Sequence, residues 1–73
     1  MFTYDKLWQT MKERGISQYK LEKDYNISRG TISTLRKNGN VTVYTLDTLC
    51  QILHCRIEDI LEILPDEESP ETR

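Results

Sequence analysis

Ser17-Gln-Tyr-Lys-Leu-Glu-Lys-Asp-Tyr-Asn-Ile-Ser-Arg-Gly-Thr-Ile-Ser-Thr-Leu-Arg-Lys37 is the stretch that decides the fold. Its apolar positions are Leu21 and Tyr25, then Ile27, then Ile32 and Leu35. The first pair lies at i,i+4 and the last at i,i+3, so each marks one face of a helix. Between the two faces, Asn26 tolerates a left-handed turn better than any residue except glycine, and Ser28 is a natural N-cap. The second helix of the pair then offers Arg29, Gly30, Thr31, Ser33, Thr34, Arg36 and Lys37 to its surroundings. Small, polar and basic side chains on one face suit a DNA groove better than a protein core. The spacing predicts a helix-turn-helix.

The same cap signal occurs three times. Ile16-Ser17 with Leu21, Ile27-Ser28 with Ile32, and Val41-Thr42 with Leu46 each place a hydroxyl between apolar residues five positions apart. The hydroxyl can accept from an orphan N–H of the first turn, and the flanking pair can close as a hydrophobic staple. Three helix starts follow, with one helix before them and a fifth expected after. The expected fold is all-α: a compact five-helix bundle.

Helix 1 is expected over residues 4–14, where Tyr4, Leu7, Trp8 and Met11 form a core-facing stripe that Gly15 ends. An aromatic platform for single-stranded bases is the sharper use of such a stripe. At helical spacing the core is the better reading. Helix 2 is expected over 18–24, helix 3 over 29–37 and helix 4 over 43–53, the last burying Leu46, Leu49, Cys50 and Leu53. Gly39, within Asn38-Gly39-Asn40, is the expected left-handed residue after helix 3. Ile57, Ile60, Leu61 and Leu64 repeat the helical spacing and predict a short helix 5 that Pro65 stops. Only residues 41–45 have β-prone composition, and a cap and first turn explain them better. The domain is expected to span residues 1–64, with 65–73 an acidic tail lacking structure.

Seventy-three residues bury one modest core, which favours local helical contacts. No apolar run reaches the length of a membrane span, and the N-terminus lacks the pattern of a signal peptide. A cytoplasmic protein is expected. The net charge of −2 conceals an asymmetry. Residues 1–40 carry eight Lys and Arg against four Asp and Glu, whereas residues 41–73 carry two against eight. Local potential rather than total charge steers phosphate.

These residues resemble the Cro/repressor-type, or XRE-like, helix-turn-helix family of bacterial and phage transcriptional regulators. The likeness runs from about Leu7 to Leu61. It includes Gly15-Ile16-Ser17-Gln18, Ile27-Ser28, Ile32-Ser33, Leu46-x-x-Leu49 and Ile60-Leu61. The resemblance implies a five-helix domain whose third helix enters the major groove of double-stranded DNA. It implies that Gln18 grips a phosphate and braces the first residue of the reading helix. Arg29, Thr31, Ser33 and Thr34 match the base-reading positions; Lys37, Asn38 and Asn40 match the backbone-contacting stretch. Two residues depart from the pattern. Asn26 replaces a turn glycine, and Glu22 stands where a small residue lets the two helices approach. Glu22 must turn outward or pair, with Arg36 the expected partner, or the helix crossing must open.

Chemistry refines these assignments. Arg29 can place two N–H donors on guanine O6 and N7, or meet only phosphate. Thr31, Ser33 and Thr34 can touch thymine methyls or either base edge, and Ser33 has the alternative of packing against helix 2. Gly30 lets backbone approach DNA but removes one base contact. Lys20, Lys23, Arg36 and Lys37 are solvated basic residues, some of which neutralise phosphate.

Cys50, His54 and Cys55 crowd one helix end and cannot close a zinc tetrahedron, so no metal and no cofactor are expected. A disulfide between the cysteines would strain that helix end. A single histidine and no phosphate-cradling glycine loop leave no catalytic constellation, and Glu58, Asp59 and Glu62 read as a solvated face. The expectation is therefore a non-enzymatic, sequence-specific DNA-binding regulator, a repressor of prokaryotic or phage origin. Any homodimer would use helix 5 or the helix 1 surface, or form only on DNA. The alternative is a protein-interaction module on the same fold, antitoxin-like or an adaptor.

Overall fold

Apolar periodicity and helix caps set the elements that a computed structural model shows over residues 1–65. Helix α1 spans Asp5–Arg14 and ends at Gly15, whose φ of 73° supplies the left-handed turn. Ser17, Ser28 and Thr42 then open α2 (Gln18–Tyr25), α3 (Arg29–Arg36) and α4 (Val43–Leu53). Each hydroxyl accepts a bond from the amide three residues on: Lys20, Thr31 and Thr45 donate, each at 3.1 Å. An otherwise orphan first-turn N–H is thereby satisfied in each helix. The turn between α2 and α3 passes through Asn26 at φ 60°, as the sequence predicts.

One core joins the four helices. Leu7, Leu21, Leu35, Leu49, Leu53 and Ile60 are fully buried, and Tyr4, Met11, Ile27, Ile32 and Leu46 complete the cluster. Burying a leucine of this kind stabilises by roughly 2 kcal/mol relative to leaving it in water. Leu21 of α2 and Ile32 and Leu35 of α3 belong to this cluster, so the helix-turn-helix is seated on the core rather than appended to it. Trp8 and Cys50, expected inside, are only partly buried at its edge.

The expected fifth helix is absent from residues 57–64. Ile57–Asp59 form one 3-10 turn, and Glu62–Ile63 form a strand, β2, paired antiparallel with β1 (Phe2–Thr3). Phe2 lies opposite Ile63 and Thr3 opposite Glu62. Three long-range or capping bonds explain the change. The Thr10 hydroxyl donates to the Asp59 carbonyl at 2.7 Å, engaging an acceptor a continuing helix would use. The Asp59 carboxylate accepts from the Arg56 amide at 3.0 Å, tightening the turn. The Leu64 amide donates to the Met1 carbonyl at 2.7 Å, extending the ladder. A helix of two turns is marginal in itself, and here the N-terminal strand offers its backbone groups better partners. Of the apolar repeat, Ile60 alone is fully buried, while Ile57 is exposed. The β-prone residues 41–45 are, as expected, a cap and the first turn of α4.

The loop after α3 also differs from expectation. Asn38, not Gly39, takes the left-handed conformation, at φ 56°. Its Oδ1 accepts from the Tyr4 amide at 2.9 Å and from the Thr3 hydroxyl at 3.4 Å, tying the loop to the start of the chain. Gly39 is needed for close approach instead. Its N–H donates to the Thr34 carbonyl at 2.8 Å, and a Cβ there would lie 2.8 Å from Thr34 Cγ2. The Tyr4 hydroxyl donates to the Gly39 carbonyl at 2.8 Å. Of the tail expected over residues 65–73, residues 66–73 lie outside the described residues.

Candidate nucleic-acid interface

Ile32 and Leu35 turn one side of α3 into the core, which fixes what the other side presents. Arg29, Gly30, Arg36 and Lys37 are exposed, and Thr31, Ser33 and Thr34 are half-buried. Helical geometry divides these residues among three directions. Gly30, Ser33, Thr34 and Lys37 face away from the core. Arg29 and Arg36 flank α2, where they share a cleft with Gln18 and Glu22. Thr31 flanks the start of α4, across a hydroxyl-lined cleft from Thr42 and Thr45.

On the α2 side, two bonds bridge the helices. Arg29 Nε donates to Glu22 Oε2 at 2.7 Å. Arg36 Nη1 donates to Gln18 Oε1 at 2.6 Å. Glu22 therefore pairs with Arg29 rather than with the expected Arg36. Gln18 braces the last residue of α3 rather than the first. The Glu22 departure is accommodated without opening the motif, since Leu21 and Ile32 remain buried on either side of the crossing.

The hydroxyls are partly committed within the protein. Thr34 donates to the Gly30 carbonyl at 2.9 Å, and Ser28 donates to the Thr31 hydroxyl at 3.0 Å. Thr34 keeps acceptor capacity, and Thr31 keeps its own proton to donate. No hydrogen bond of the Ser33 side chain with the protein is found among the described residues. Of the residues matched to backbone contacts, Lys37 and Asn40 are exposed, whereas Asn38 has its carbonyl oxygen turned inward on Tyr4. Arg14, counted in the basic half, is used elsewhere: its Nε donates to the Leu53 carbonyl at 2.8 Å, a cation at the C-terminal end of α4.

Two residues the sequence reading passed over stand beside this surface. Val43 and Tyr44, in the first turn of α4, are 80% and 78% exposed. Tyr44 lines a cleft with Ser28, Thr31 and Thr48, next to the start of α3. The signal was present for Tyr44, which helical spacing places opposite the stripe of Leu46, Leu49 and Leu53. Val43, three residues before Leu46, shares that stripe's side by spacing, and the sequence does not report its exposure.

Cys50 and Cys55 are free thiols. Burial raises the thiol pKa of each; the neighbouring Cys55 raises Cys50 further, and Asp59 does the same for Cys55. Both are protonated near neutrality and poor nucleophiles. Among the described residues, no cluster of three or more His, Cys, Asp or Glu could hold a metal ion, and no helix is long and apolar enough to cross a membrane.

Among the described residues there are four helices, of which α3, with exposed basic side chains, is the second of a tight pair; this is a helix-turn-helix fold. Residues 6–66 match the Cro/C1-type HTH DNA-binding domain, and the chain belongs to that family. It is similar to the transcriptional regulator VanUg, whose crystal structure superposes with a TM-score of 0.80 at 34% identity, covering 89% of this chain and 87% of that one. A search of curated proteins returns no match.

Proposed function

We propose that this chain is a sequence-specific transcriptional regulator that binds double-stranded DNA in the cytoplasm, with α3 in the major groove. Its action is repression by occupancy, without catalysis. The observation that carries this reading is the division of α3. Ile32 and Leu35 hold it rigidly from one side, the opposite side presents Gly30, Ser33, Thr34 and Lys37, and Arg29 stands exposed at the edge of that surface next to α2. A rigid helix with short side chains and terminal cations is what a groove about 12 Å wide accepts. Arg29, Thr31, Ser33 and Thr34 are the base-reading set. Gln18, Arg36, Lys37 and Asn40 are the phosphate-contacting set, and Asn38, whose Oδ1 accepts from the Tyr4 amide, is assigned to the closure of the fold instead.

Family likeness to a transcriptional regulator supports the role, and the basic first half of the chain supplies the attraction. The test is selection of bound sequences from a random duplex pool, followed by titration against the winner and against random duplex. A preferred site, and a log–log salt dependence steep enough to show several released counterions, are expected. Two symmetric half-sites would identify a homodimer formed on DNA. Absence of any duplex binding at low salt would contradict the proposal and favour a protein-interaction module.

A further inference from the structure

Arg29 and Arg36 both reach toward α2, but they commit different nitrogens. Arg36 donates through Nη1, a terminal nitrogen, to Gln18 at 2.6 Å. Arg29 donates through Nε, the nitrogen nearest its stem, to Glu22 at 2.7 Å. Its side chain remains 86% exposed, so the Nη1–Nη2 end of the fork is left to solvent. That end carries the parallel pair of donors that matches guanine O6 and N7, or a bidentate phosphate. Arg36 has one of those nitrogens occupied and is suited to a single phosphate contact.

Glu22 needs an explanation of its own. A carboxylate beside the DNA-facing surface repels phosphate and lowers affinity for every sequence. An ion pair with one member in solvent contributes little to stability; here the Arg29 side chain is 86% exposed and the Glu22 side chain 35%. Neither the fold nor general attraction to DNA benefits from an acid at this position. Direction is what it supplies. An unpaired arginine at the start of α3 samples many rotamers and falls onto the nearest phosphate, whereas a charge-assisted bond to Nε fixes the plane of the guanidinium.

We infer that Glu22 is a positioning residue for base readout: by holding Arg29 at Nε, it aims the terminal nitrogens at a base edge in the major groove and away from the phosphates. The inference rests on the DNA-reading assignment above. Glu22 exchanges some affinity for all duplexes against discrimination at the one base pair that Arg29 meets.

The test uses the full chain, the duplex selected from a random pool, the same duplex altered one base pair at a time, and a random duplex. Glu22→Ala should tighten binding to random duplex by about threefold at low salt, through removal of a repelling charge. The same variant should reduce discrimination at one base pair by roughly tenfold. Glu22→Gln retains an oxygen that accepts from Nε. It should show the same gain on random duplex while keeping most of the discrimination. In an Arg29→Ala background, Glu22→Ala should leave discrimination unchanged. Melting temperatures of all variants close to wild type would exclude unfolding as the cause. Equal changes on every duplex for Glu22→Ala would overturn the inference and leave Glu22 as a general repelling charge. Equal loss of discrimination in the alanine and glutamine variants would overturn the part played by the Nε bond. A wild-type protein that binds no duplex would instead refute the DNA-reading assignment itself.

Discussion

The helix-turn-helix and the closure of the chain ends are built by opposite means. Between Ser17 and Lys37, structure is made by neighbours: caps bond three residues on, Asn26 turns the chain, and Leu21 and Ile32 are buried beside it. At the other end of the molecule, structure is made by strangers. Phe2–Thr3 pair with Glu62–Ile63, Thr10 bonds to Asp59, and Asn38 bonds to Tyr4. Helix α3 therefore depends on local chemistry for its shape and on the distant closure for its support. The difference shows where a mutation should alter recognition and where it should alter only stability.

The largest effect is expected where the two regions share a core. Leu21 is fully buried, and Leu21→Ala should cost about 2–5 kcal/mol by chemical denaturation. A midpoint close to wild type would mean that the motif is seated on the core differently. Asn38→Ala comes next, since it removes the acceptor for the Tyr4 amide and places alanine at a positive φ. It should cost about 1–3 kcal/mol, while duplex affinity measured well below the melting temperature changes little. A large loss of affinity at full stability would move Asn38 from the closure into the interface.

Ser28→Ala tests the local side of the comparison. Losing the cap to Thr31 should destabilise by about 1 kcal/mol, with amide exchange accelerated first at the start of α3. Uniform acceleration over the whole chain would show that the start of α3 does not open separately from the rest. Lys37→Ala should have the smallest effect on the protein itself. Exposed at the end of α3, Lys37 should weaken specific and random binding alike when removed and lower the salt slope by about one. An unchanged slope would take it out of the phosphate-contacting set.

The same contrast explains what could be read in advance. The start of α3, both ends of α4, the three caps, Gly15 and Asn26 all follow from residues within a turn of one another, and the sequence shows them; α3 ends one residue earlier than read, at Arg36. The 57–64 segment does not, because the apolar spacing of Ile57, Ile60, Leu61 and Leu64 is helical while its partners lie at Met1–Thr3 and Thr10. No local pattern reports a strand that exists only when the other end of the chain arrives. Glu22 pairs with Arg29 rather than with Arg36 for a related reason. Arg29 and Arg36 both flank α2, and side-chain geometry rather than sequence spacing decides which one Glu22 meets. The left-handed position after α3 falls on Asn38 rather than Gly39 because a bond to Tyr4, 34 residues away, favours Asn38 there. Tyr44 is legible, because the stripe that buries α4 places position 44 on the opposite face; Val43 is not, because its spacing from Leu46 is that of a buried neighbour.

Base reading by α3 is the central claim, and Arg29 is the residue placed to show it. Binding of Arg29→Ala should be measured against the selected duplex, each of its single-base-pair variants and a random duplex, at one salt concentration. A loss of about 1–3 kcal/mol on the selected site, with preference abolished at one base pair and retained at the others, is expected. Equal weakening on every duplex would contradict base reading by Arg29 and reduce it to a phosphate contact.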